Sequence, residues 1–599
     1  MAARYDGHLG GRPTRGEGAL SPADWWVVGG YLALTCGVGL WLSRRASGSV
    51  VDFFVGGRAL PWWLAGTSMA ATTFSVDTPL YVSALISRRG IAGNWEWWSF
   101  GLSHLLLIYL FARLWRRAEV VTDVELTELR YGGRPAAVLR GTRAFLFAVP
   151  INCISIGFVM LAMRKVVEAL GLLPDLSGWL PGDERLWAVV ALSIFVLAYA
   201  GIAGLWGVVA TDFFQFFLAL LGAILVAGFA LAEIGGVAEL KLRLAEAGRS
   251  DILRMTPPPG SESLPFGTFL AYLGIQWWAF RRSDGGGEFV QRLLACRSEA
   301  DAERAAWWFV WLHYVIRAWP WVLVGLVAVV VFPDLADPDL GYPMLMLRYL
   351  PAGLLGLVVA SFFAAFMSTV STQINWGASY LVNDLYGRFV DPGASARRLV
   401  GLGRVASAFI VAAASAAAFF ADDIGALFRF MIAIGTGPGA VLILRWFWWR
   451  VNAWAELASM LAGFAIALCS YLPAFASMEF GTRLAVTAFG SAAVWLPVMW
   501  FTRPEAPATL LEFYRRVRPA GPGWRAIRAR AGTEPDLQLG TALLRTGAAT
   551  LLLFGTMFAL GGALLLEPRT VAFAASVAVV GGIGLWTFHR TSRLRAPRG

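Results

Sequence analysis

The sequence predicts an all-α polytopic membrane protein, and two observations indicate this fold class. Of the 599 residues, 58% are hydrophobic and 15% are charged, whereas soluble proteins average about 45–50% apolar and about 25% charged residues. In addition, apolar runs of about twenty residues, long enough to cross a bilayer as a helix, recur along the chain without a polar linker between them. The composition therefore excludes a series of soluble domains.

About fifteen segments are long and apolar enough to cross about 30 Å of hydrocarbon as helices. We expect the first of them to be retained, because Met1–Asp24 lacks the small-residue cleavage site of a secretory signal. The predicted spans are 24–43, 59–86, 92–112, 141–163, 186–206, 208–232, 266–280, 305–332, 354–384, 403–421, 424–446, 451–473, 481–501, 545–566 and 570–589.

The charge distribution predicts the orientation. The chain has 50 basic and 39 acidic residues, and arginine concentrates in loops that stay in the cytoplasm. Arginines crowd the stretches 281–304 and 502–544, whereas 333–343 contains aspartates and no basic residue. This predicts a multi-pass protein of the cell (inner) membrane with its N-terminus outside and its C-terminus inside, although Arg88 and Arg89 lie on the wrong side in this scheme. We expect the lipid bilayer, but no nucleic acid and no obligate protein, as a partner; the stretch 502–544 can also attract anionic headgroups.

The second span is too polar to be a continuous lipid-facing helix. Between Trp62 and Pro79 it carries several hydroxyls and the carboxylate of Asp77. Such groups are costly within a span unless they face a partner or a watery cavity, and Pro79 disfavours helix at Thr78. We therefore predict a locally unwound helix that lines a cavity. The alternative is an ordinary kinked helix whose hydroxyls bond back to the preceding turn.

Two further spans begin with acidic side chains. In the third span, Glu96 and Ser99 lie on one helical face among tryptophans; the alternative is an aromatic belt at the membrane interface. In the sixth span, Asp212 lies just inside the inner end; the alternative is a helix-start acid that complements the helix dipole. Because ionisable residues are rare within spans, each acid is a candidate for function.

The ninth span carries a stripe of oxygen-bearing side chains. At about 100° per residue, Ala365, Ser368, Thr369 and Thr372 share one face, and Ser371 lies at its edge. Such oxygens suit a hard monovalent cation. The alternative is polar contact between packed helices, since Ser and Thr are also enriched at ordinary helix interfaces in membranes.

Several runs resemble motifs of the sodium:solute symporter family, in order and from about residue 24 to residue 475. They are Phe54 to Trp63, Thr211 to Gln215, Gln291-Arg292 with the charged stretch to Ala302, and Ala364 to Thr372 ending in Asn383-Asp384-Leu385-Tyr386. The resemblance implies the fold of the bacterial leucine transporter, with two inverted repeats of five helices, one extra helix before them and about four after them.

Laid on this sequence, the resemblance divides the chain into four parts. They are an extracellular N-terminus with the extra helix (1–45), a first repeat (59–232), a second repeat (266–446) and the last helices with the basic loop 502–544 (451–599). An independent feature agrees, because the opening helix of each repeat is either interrupted by polar residues or unusually short, as expected of discontinuous helices at a midplane site.

The resemblance also implies sodium as the coupling ion. In the family, one sodium ion lies between the broken first helix and the eighth helix of the core. The matching groups here are the carbonyls of Ala71, Phe74 and Ala365 and the side chains of Ser368 and Thr369. Members similar to sialic-acid transporters hold a second sodium ion, for which the matching residues are Asp212, Ser368, Ser371 and Thr372. Thr372 stands where a serine is usual.

For the solute, the resemblance to sugar-transporting members implies the positions Thr73, Asp77, Thr78, Glu96, Ser99, Trp277 and Trp278. Thr73 replaces an amide, Asp77 shortens a glutamate, and 281–288 looks like an insertion. Two pocket acids without an evident arginine partner argue against an anionic solute, since like charges buried together are unfavourable. We expect sodium-coupled uptake of a small neutral solute, a sugar or polyol, by alternating access.

Other functions are less well supported by the sequence. A zwitterionic or cationic solute is an alternative, and so is proton coupling, which would require Asp77, Asp212 or Glu96 to titrate near neutrality. A membrane-embedded enzyme would have to use His104 or His313, and neither has a partner acid at helical spacing. A sensor is disfavoured because 502–544 is too short for a kinase. We therefore expect a transporter without catalytic residues.

Overall fold

The computed structural model describes residues 20–43, 56–120, 122–172, 184–200 and 205–594, and these residues contain helices but no β-strand. The all-α prediction is confirmed. Phe54 and Val55 of the first motif, and residues 1–19 of the predicted extracellular N-terminus, lie outside the described residues. The main helices are α1 (Pro22–Ser43), α2 (Trp62–Thr72), α3 (Asp77–Arg89), α4 (Ile91–Ala118), α5 (Gly133–Ala169), α6 (Glu184–Ala200), α7 (Leu205–Glu233), α8 (266–279), α9 (Glu288–Leu294), α10 (Glu299–Val331), α11 (Leu354–Val390), α12 (Ala396–Phe419), α13 (Ile424–Gly435), α14 (Gly439–Phe447), α15 (Ala453–Ser470), α16 (Phe480–Phe501), α17 (Pro507–Val517), α18 (Arg525–Ala531), α19 (Leu539–Leu564) and α20 (Pro568–Leu594).

Every predicted span corresponds to a helix or to a pair of helices. Among the described residues, ten helices are long and apolar enough to cross a membrane. They are α4, α5, α7, α10, α11, α12, α15, α16, α19 and α20. The other predicted spans are α1, the short helices α6 and α8, and two interrupted helices formed by α2 with α3 and by α13 with α14.

The interruptions follow from local sequence. Pro79 lies in the first turn of α3. Backbone N–H groups in the first turn make no hydrogen bond within the helix, so a proline is tolerated there although it lacks an N–H. Between α8 and α9, Gly285 and Gly287 adopt positive φ angles of 82° and 90°, a conformation that other residues avoid. Gly437, between α13 and α14, has a φ of 122°. Proline and glycine thus place each break.

The helices around the first break form the centre of the molecule. The helix α2 packs against α7, α10 and α11, and α3 packs against α10. The helix α1 lies against α11 and α7, whereas α19 and α20 pack mainly on each other. The outer face of α20 is mostly exposed and apolar, as expected of a helix that contacts lipid.

A buried ion cluster lies at the arginine-rich end of the molecule and consists of Asp123, Arg143, Asp284, Arg445 and Glu456. Arg143 lies 3.0 Å from both Asp123 and Glu456. Arg445 lies 2.7 Å from Asp284 and 3.2 Å from Glu456. Because isolated buried charges are strongly unfavourable, each member depends on the others.

The basic stretch 502–544 contains folded structure. The Trp524 indole N–H donates to the Trp446 carbonyl at 2.8 Å, and the Arg130 guanidinium lies over the rings of Phe513 and Trp524. The helices α17 and α18 therefore cover the end of α14.

The two arginines that contradicted the charge pattern are ion-paired at the opposite, acidic end. Arg88 lies 2.7 Å from Asp423, and Arg89 lies 2.6 Å from Glu96. Burial works to raise the pKa of Asp423, but the Ala426 N–H and the Arg88 guanidinium hold that pKa below its ordinary value. Each arginine therefore has a local carboxylate partner at this end.

Removing one acid of the buried ion cluster should destabilise the fold. In Glu456→Gln, Arg143 and Arg445 lose a shared negative partner, so the free energy of unfolding should fall by about 3 kcal/mol. Thermal unfolding of the detergent-purified protein measures this change. The matched control is Glu534→Gln, because the Glu534 side chain is 83% exposed and should alter stability by less than about 0.5 kcal/mol. Equal unfolding temperatures for the two variants would contradict the assignment.

Candidate functional site

The candidate site is built around the break between α2 and α3. The helix α2 ends at Thr72 and α3 begins at Asp77, so the predicted unwound segment is confirmed. Within it, the Phe74 N–H donates to the Ala71 carbonyl at 2.9 Å. The segment is largely buried. Carbonyls freed by such a break inside a membrane protein need donors or cations as partners.

The five residues predicted for the first sodium ion lie on two elements that contact each other. Ala71, Phe74, Ala365, Ser368 and Thr369 are all at least 95% buried, and α11 packs against α2. The Thr369 hydroxyl lies 3.4 Å from the Thr72 carbonyl. The break and the oxygen stripe of α11 therefore meet, which gives carbonyl and hydroxyl oxygens of the kind that binds sodium in broken helices.

At the predicted second sodium site, an arginine lies beside the acid. Asp212 accepts hydrogen bonds from the hydroxyls of Ser68 and Ser368, and Arg292 lies 3.7 Å from the same carboxylate. Arg292 also donates to the Thr372 hydroxyl at 3.2 Å. The Ser371 hydroxyl instead donates to the Ser368 carbonyl. Arg292 of α9 thus already places a positive charge next to Asp212.

The alternative explanation of Asp212 as a helix-start acid does not hold. The helix α7 begins at Leu205, so Asp212 lies about two turns inside it, and the dipole effect fades within the first turn. The aromatic-belt alternative for the third span is also wrong, because Trp95, Trp97 and Trp98 are all more than 90% buried.

Glu96 and Ser99 of α4 are brought together by α8. The Gln276 amide donates to the Glu96 carbonyl at 2.6 Å and to the Ser99 hydroxyl at 3.0 Å. The Glu96 carboxylate accepts a hydrogen bond from the Tyr272 hydroxyl at 2.9 Å. Gln276 and Tyr272 were not among the predicted solute residues, which instead included the two tryptophans that follow Gln276.

The expectation that the pocket acids have no arginine partner is wrong for Glu96. Its carboxylate lies 2.6 Å from Arg89 and 3.7 Å from Arg429. Its charge is therefore compensated within the protein, and the argument against an anionic solute loses its basis.

The other predicted solute residues have different surroundings. The Thr73 hydroxyl lies 3.0 Å from His313 and 3.1 Å from Arg317, and Asp77 is buried at the start of α3. The Thr78 N–H donates to the Ser75 carbonyl at 3.2 Å.

The two tryptophans of α8 make local contacts. The Trp277 indole donates to the Leu273 carbonyl at 2.7 Å. The Trp278 indole donates to the Gly274 carbonyl, and its ring packs against Phe489 of α16. Trp278 follows Gln276 by two positions and so lies on the far side of α8 from Glu96.

The histidines of the enzyme alternative belong to a packed polar group. His104 lies 2.8 Å from the Tyr314 hydroxyl, and His313 contacts Thr73 and Arg317. Among the described residues, neither histidine forms an ion pair with a carboxylate. This arrangement offers no acid–base pair of the catalytic kind.

The comparisons with known proteins agree with this geometry. The sodium:solute symporter family matches residues 53–463. The chain is 26% identical over 488 residues to a sodium/glucose cotransporter of Vibrio parahaemolyticus. This alignment covers 76% of this chain and 86% of the relative. It is also 26% identical to sodium/myo-inositol cotransporter 2 of Homo sapiens, over 74% of this chain and 69% of the relative.

A solved structure of a Na⁺-coupled sialic acid symporter, in a substrate-bound outward-open state, has the same fold. Its TM-score is 0.64 at 21% identity, and the match covers 81% of this chain and 99% of that chain. The fold with two inverted five-helix repeats is thereby confirmed, and the protein is a sodium-coupled transporter and not an enzyme. The chain belongs to the sodium:solute symporter family.

Proposed function

We propose that the protein takes up a small, neutral, hydroxyl-rich solute, a sugar or polyol, together with sodium. The observation that carries this proposal is the Gln276 amide of α8, which bridges the Glu96 carbonyl and the Ser99 hydroxyl of α4. Amide, hydroxyl and carboxylate groups together can both donate to and accept from the hydroxyls of a solute. The relatives named for glucose, mannose and myo-inositol transport support the same solute class.

The charge balance of the site supports a solute without a positive charge. Arg89 and Arg429 compensate the Glu96 carboxylate, so this acid does not require an ammonium group from the solute. A zwitterionic or cationic solute would place an additional positive charge near these arginines, which is unfavourable in a buried site. Thr73, Asp77 and Thr78 on the break belong to the same proposed solute site, with Trp277 beside it on α8, whereas Trp278 packs against Phe489 on the far side of α8.

For sodium, we propose the carbonyls of Ala71, Phe74 and Ala365 with the hydroxyls of Ser368 and Thr369. The contact between Thr369 and the Thr72 carbonyl supports this set, because it joins α11 to the end of α2. A second sodium ion at Asp212, Ser368, Ser371 and Thr372 would require Arg292 to withdraw from Asp212.

Coupling follows from linkage between the two ligands. Sodium bound between α2 and α11 fixes the break, and the break carries proposed solute residues, so each ligand raises the affinity for the other. One charge that moves through about 100 mV contributes about 2.3 kcal/mol, which corresponds to roughly fiftyfold accumulation of the solute.

The solute class can be tested by thermal unfolding of the purified protein with matched compounds. The compounds are grouped in sets of three: a sugar or polyol, its amine analogue and its carboxylate analogue. The unfolding temperature is measured with each compound in sodium and in potassium. A ligand of the folded state raises the unfolding temperature by mass action. We expect stabilisation by a neutral compound in sodium only. Selective stabilisation by the amine analogue or by the carboxylate analogue would overturn the proposed solute class.

The bridging amide should be specific for the solute. In Gln276→Leu, Glu96 and Ser99 lose their shared donor, so the apparent affinity for the stabilising compound should fall at least tenfold, about 1.4 kcal/mol. Sodium-dependent uptake in proteoliposomes measures this affinity. Sodium alone should still stabilise the variant as it stabilises the wild type. An unchanged affinity for the compound would remove Gln276 from the site.

The sodium ligand on α11 should determine the sodium dependence. Thr369→Ala removes one proposed oxygen ligand and should raise the half-saturating sodium concentration about tenfold, whereas Thr369→Ser keeps the oxygen and should retain wild-type behaviour. Sodium titration of uptake measures both variants. The matched control is Ser361→Ala, since Ser361 is a buried α11 hydroxyl that bonds back to the Val358 carbonyl. If Thr369→Ala and Ser361→Ala gave the same sodium dependence, Thr369 would not be a ligand.

A further inference from the structure

A buried arginine reaches the helix break from the side of α10. Arg317 follows a wide helical turn formed by Trp311–Ile316 and is 1% exposed. One guanidinium nitrogen donates to the Ala70 carbonyl at 2.7 Å, and another donates to the Thr73 carbonyl at 2.8 Å. The guanidinium therefore spans the last turn of α2 and the first residue of the break.

Among the residues that the structure describes, no carboxylate forms an ion pair with Arg317, and the acid that interacts with its charge at longer range is Asp77 of α3. Besides the two carbonyls, the guanidinium contacts His313 and the Thr73 hydroxyl. Its guanidinium carbon lies 5.5 Å from the centre of the Phe74 ring and 5.3 Å from that of Trp321. Carbonyl oxygens and aromatic faces are the surroundings in which proteins hold cations.

We propose that Arg317 is a resident cation of the helix break. It occupies the carbonyls of Ala70 and Thr73 on the α10 side, where a broken helix would otherwise take up a free cation. Thr369 approaches the break from the α11 side, so the two faces of the break have separate roles. As a consequence, the α10 side accepts neither an additional sodium ion nor an ammonium group of a solute.

This assignment goes beyond the proposed function. It rests on the contacts of Arg317 and requires neither the proposed sugar or polyol nor the proposed sodium ligands. Its tests use guanidinium, urea and sodium and no transported solute, so a failure of the solute class and a failure of this assignment are distinguishable.

Another buried arginine provides a matched comparison. Arg164 of α5 also donates to two carbonyls, those of Ala418 and Ala421, at 3.3 Å each. In contrast to Arg317, it lies 3.5 Å from Glu168 and 3.6 Å from Asp422. Arg164 therefore has acids of its own and lies away from the break, at the end of α12.

The first experiment asks whether a free cation replaces the side chain. In Arg317→Ala, the Ala70 and Thr73 carbonyls both lose the guanidinium and face a space of its size; Ala70 keeps only the Thr73 hydroxyl as a side-chain donor, so the space favours a cation. Non-denaturing concentrations of guanidinium chloride should therefore raise the unfolding temperature of this variant, but not that of the wild type or of Arg164→Ala. Urea, which has a similar shape and no charge, should not stabilise any of the three. Stabilisation of Arg317→Ala by urea equal to that by guanidinium, or no stabilisation by either, would overturn the proposal.

The second experiment counts ions and uses milder variants, in case Arg317→Ala does not fold. In Arg317→Gln, an amide can still donate to one carbonyl but the charge is lost; Arg317→Lys keeps the charge. Binding of radioactive sodium to the purified protein should show one more ion per protein in Arg317→Gln than in the wild type, and the wild-type number in Arg317→Lys. The wild-type number in a folded Arg317→Gln protein would show that Arg317 does not exclude a cation.

Discussion

A backbone carbonyl inside a membrane protein needs a donor or a cation, and the break between α2 and α3 exposes several of them. The arrangement of the centre follows from this requirement. The Phe74 N–H satisfies Ala71, α10 sends Arg317 to the break, and α11 sends Thr369 to the Thr72 carbonyl. The close packing of α2 against α10 and α11 places these partners. The sodium ion proposed for this segment would be one further partner of the same kind, so the proposal places ion binding where the fold already needs cations and donors.

Local sequence predicted the parts of this site that local chemistry determines. Pro79 and the hydroxyls before it indicated the break, and the helical spacing of Ser368 and Thr369 indicated an oxygen stripe; the structure contains both features. The sequence alone did not show which residues from distant parts of the chain contact the break. Arg317 stands alone in a strongly apolar span, and its contact with Ala70 joins residues 247 positions apart. A charge within a span is itself a signal of function, and that signal would have identified Arg317.

The solute face of α8 shows why positions carried over from the resemblance were not enough. The resemblance named Trp277 and Trp278, whereas the structure directs Gln276 to Glu96 and Ser99. Residues Tyr272–Gln276 form a π-helical turn, and such a turn shifts the positions of the following side chains around the helix axis. Likewise, the Arg429 partner of Glu96 comes from α13, and no spacing rule within α4 contains that information.

Alternating access requires the arginine-rich end of the molecule to open. The buried ion cluster consists of two groups of residues that can separate when this end opens. Asp123 and Arg143 precede α8 in the chain, whereas Asp284, Arg445 and Glu456 follow it. The Arg143–Glu456 ion pair joins the two groups at 3.0 Å, together with neutral hydrogen bonds from the Tyr131 hydroxyl to Glu456 and from the Gly287 N–H to Asp123. If that pair separates, Arg143 keeps Asp123 and Arg445 keeps Asp284, so neither arginine loses its last acid. The Glu456 carboxylate also keeps Arg445. Because the desolvation penalty falls on unpaired charges, the cluster stabilises the closed end without making its opening prohibitive.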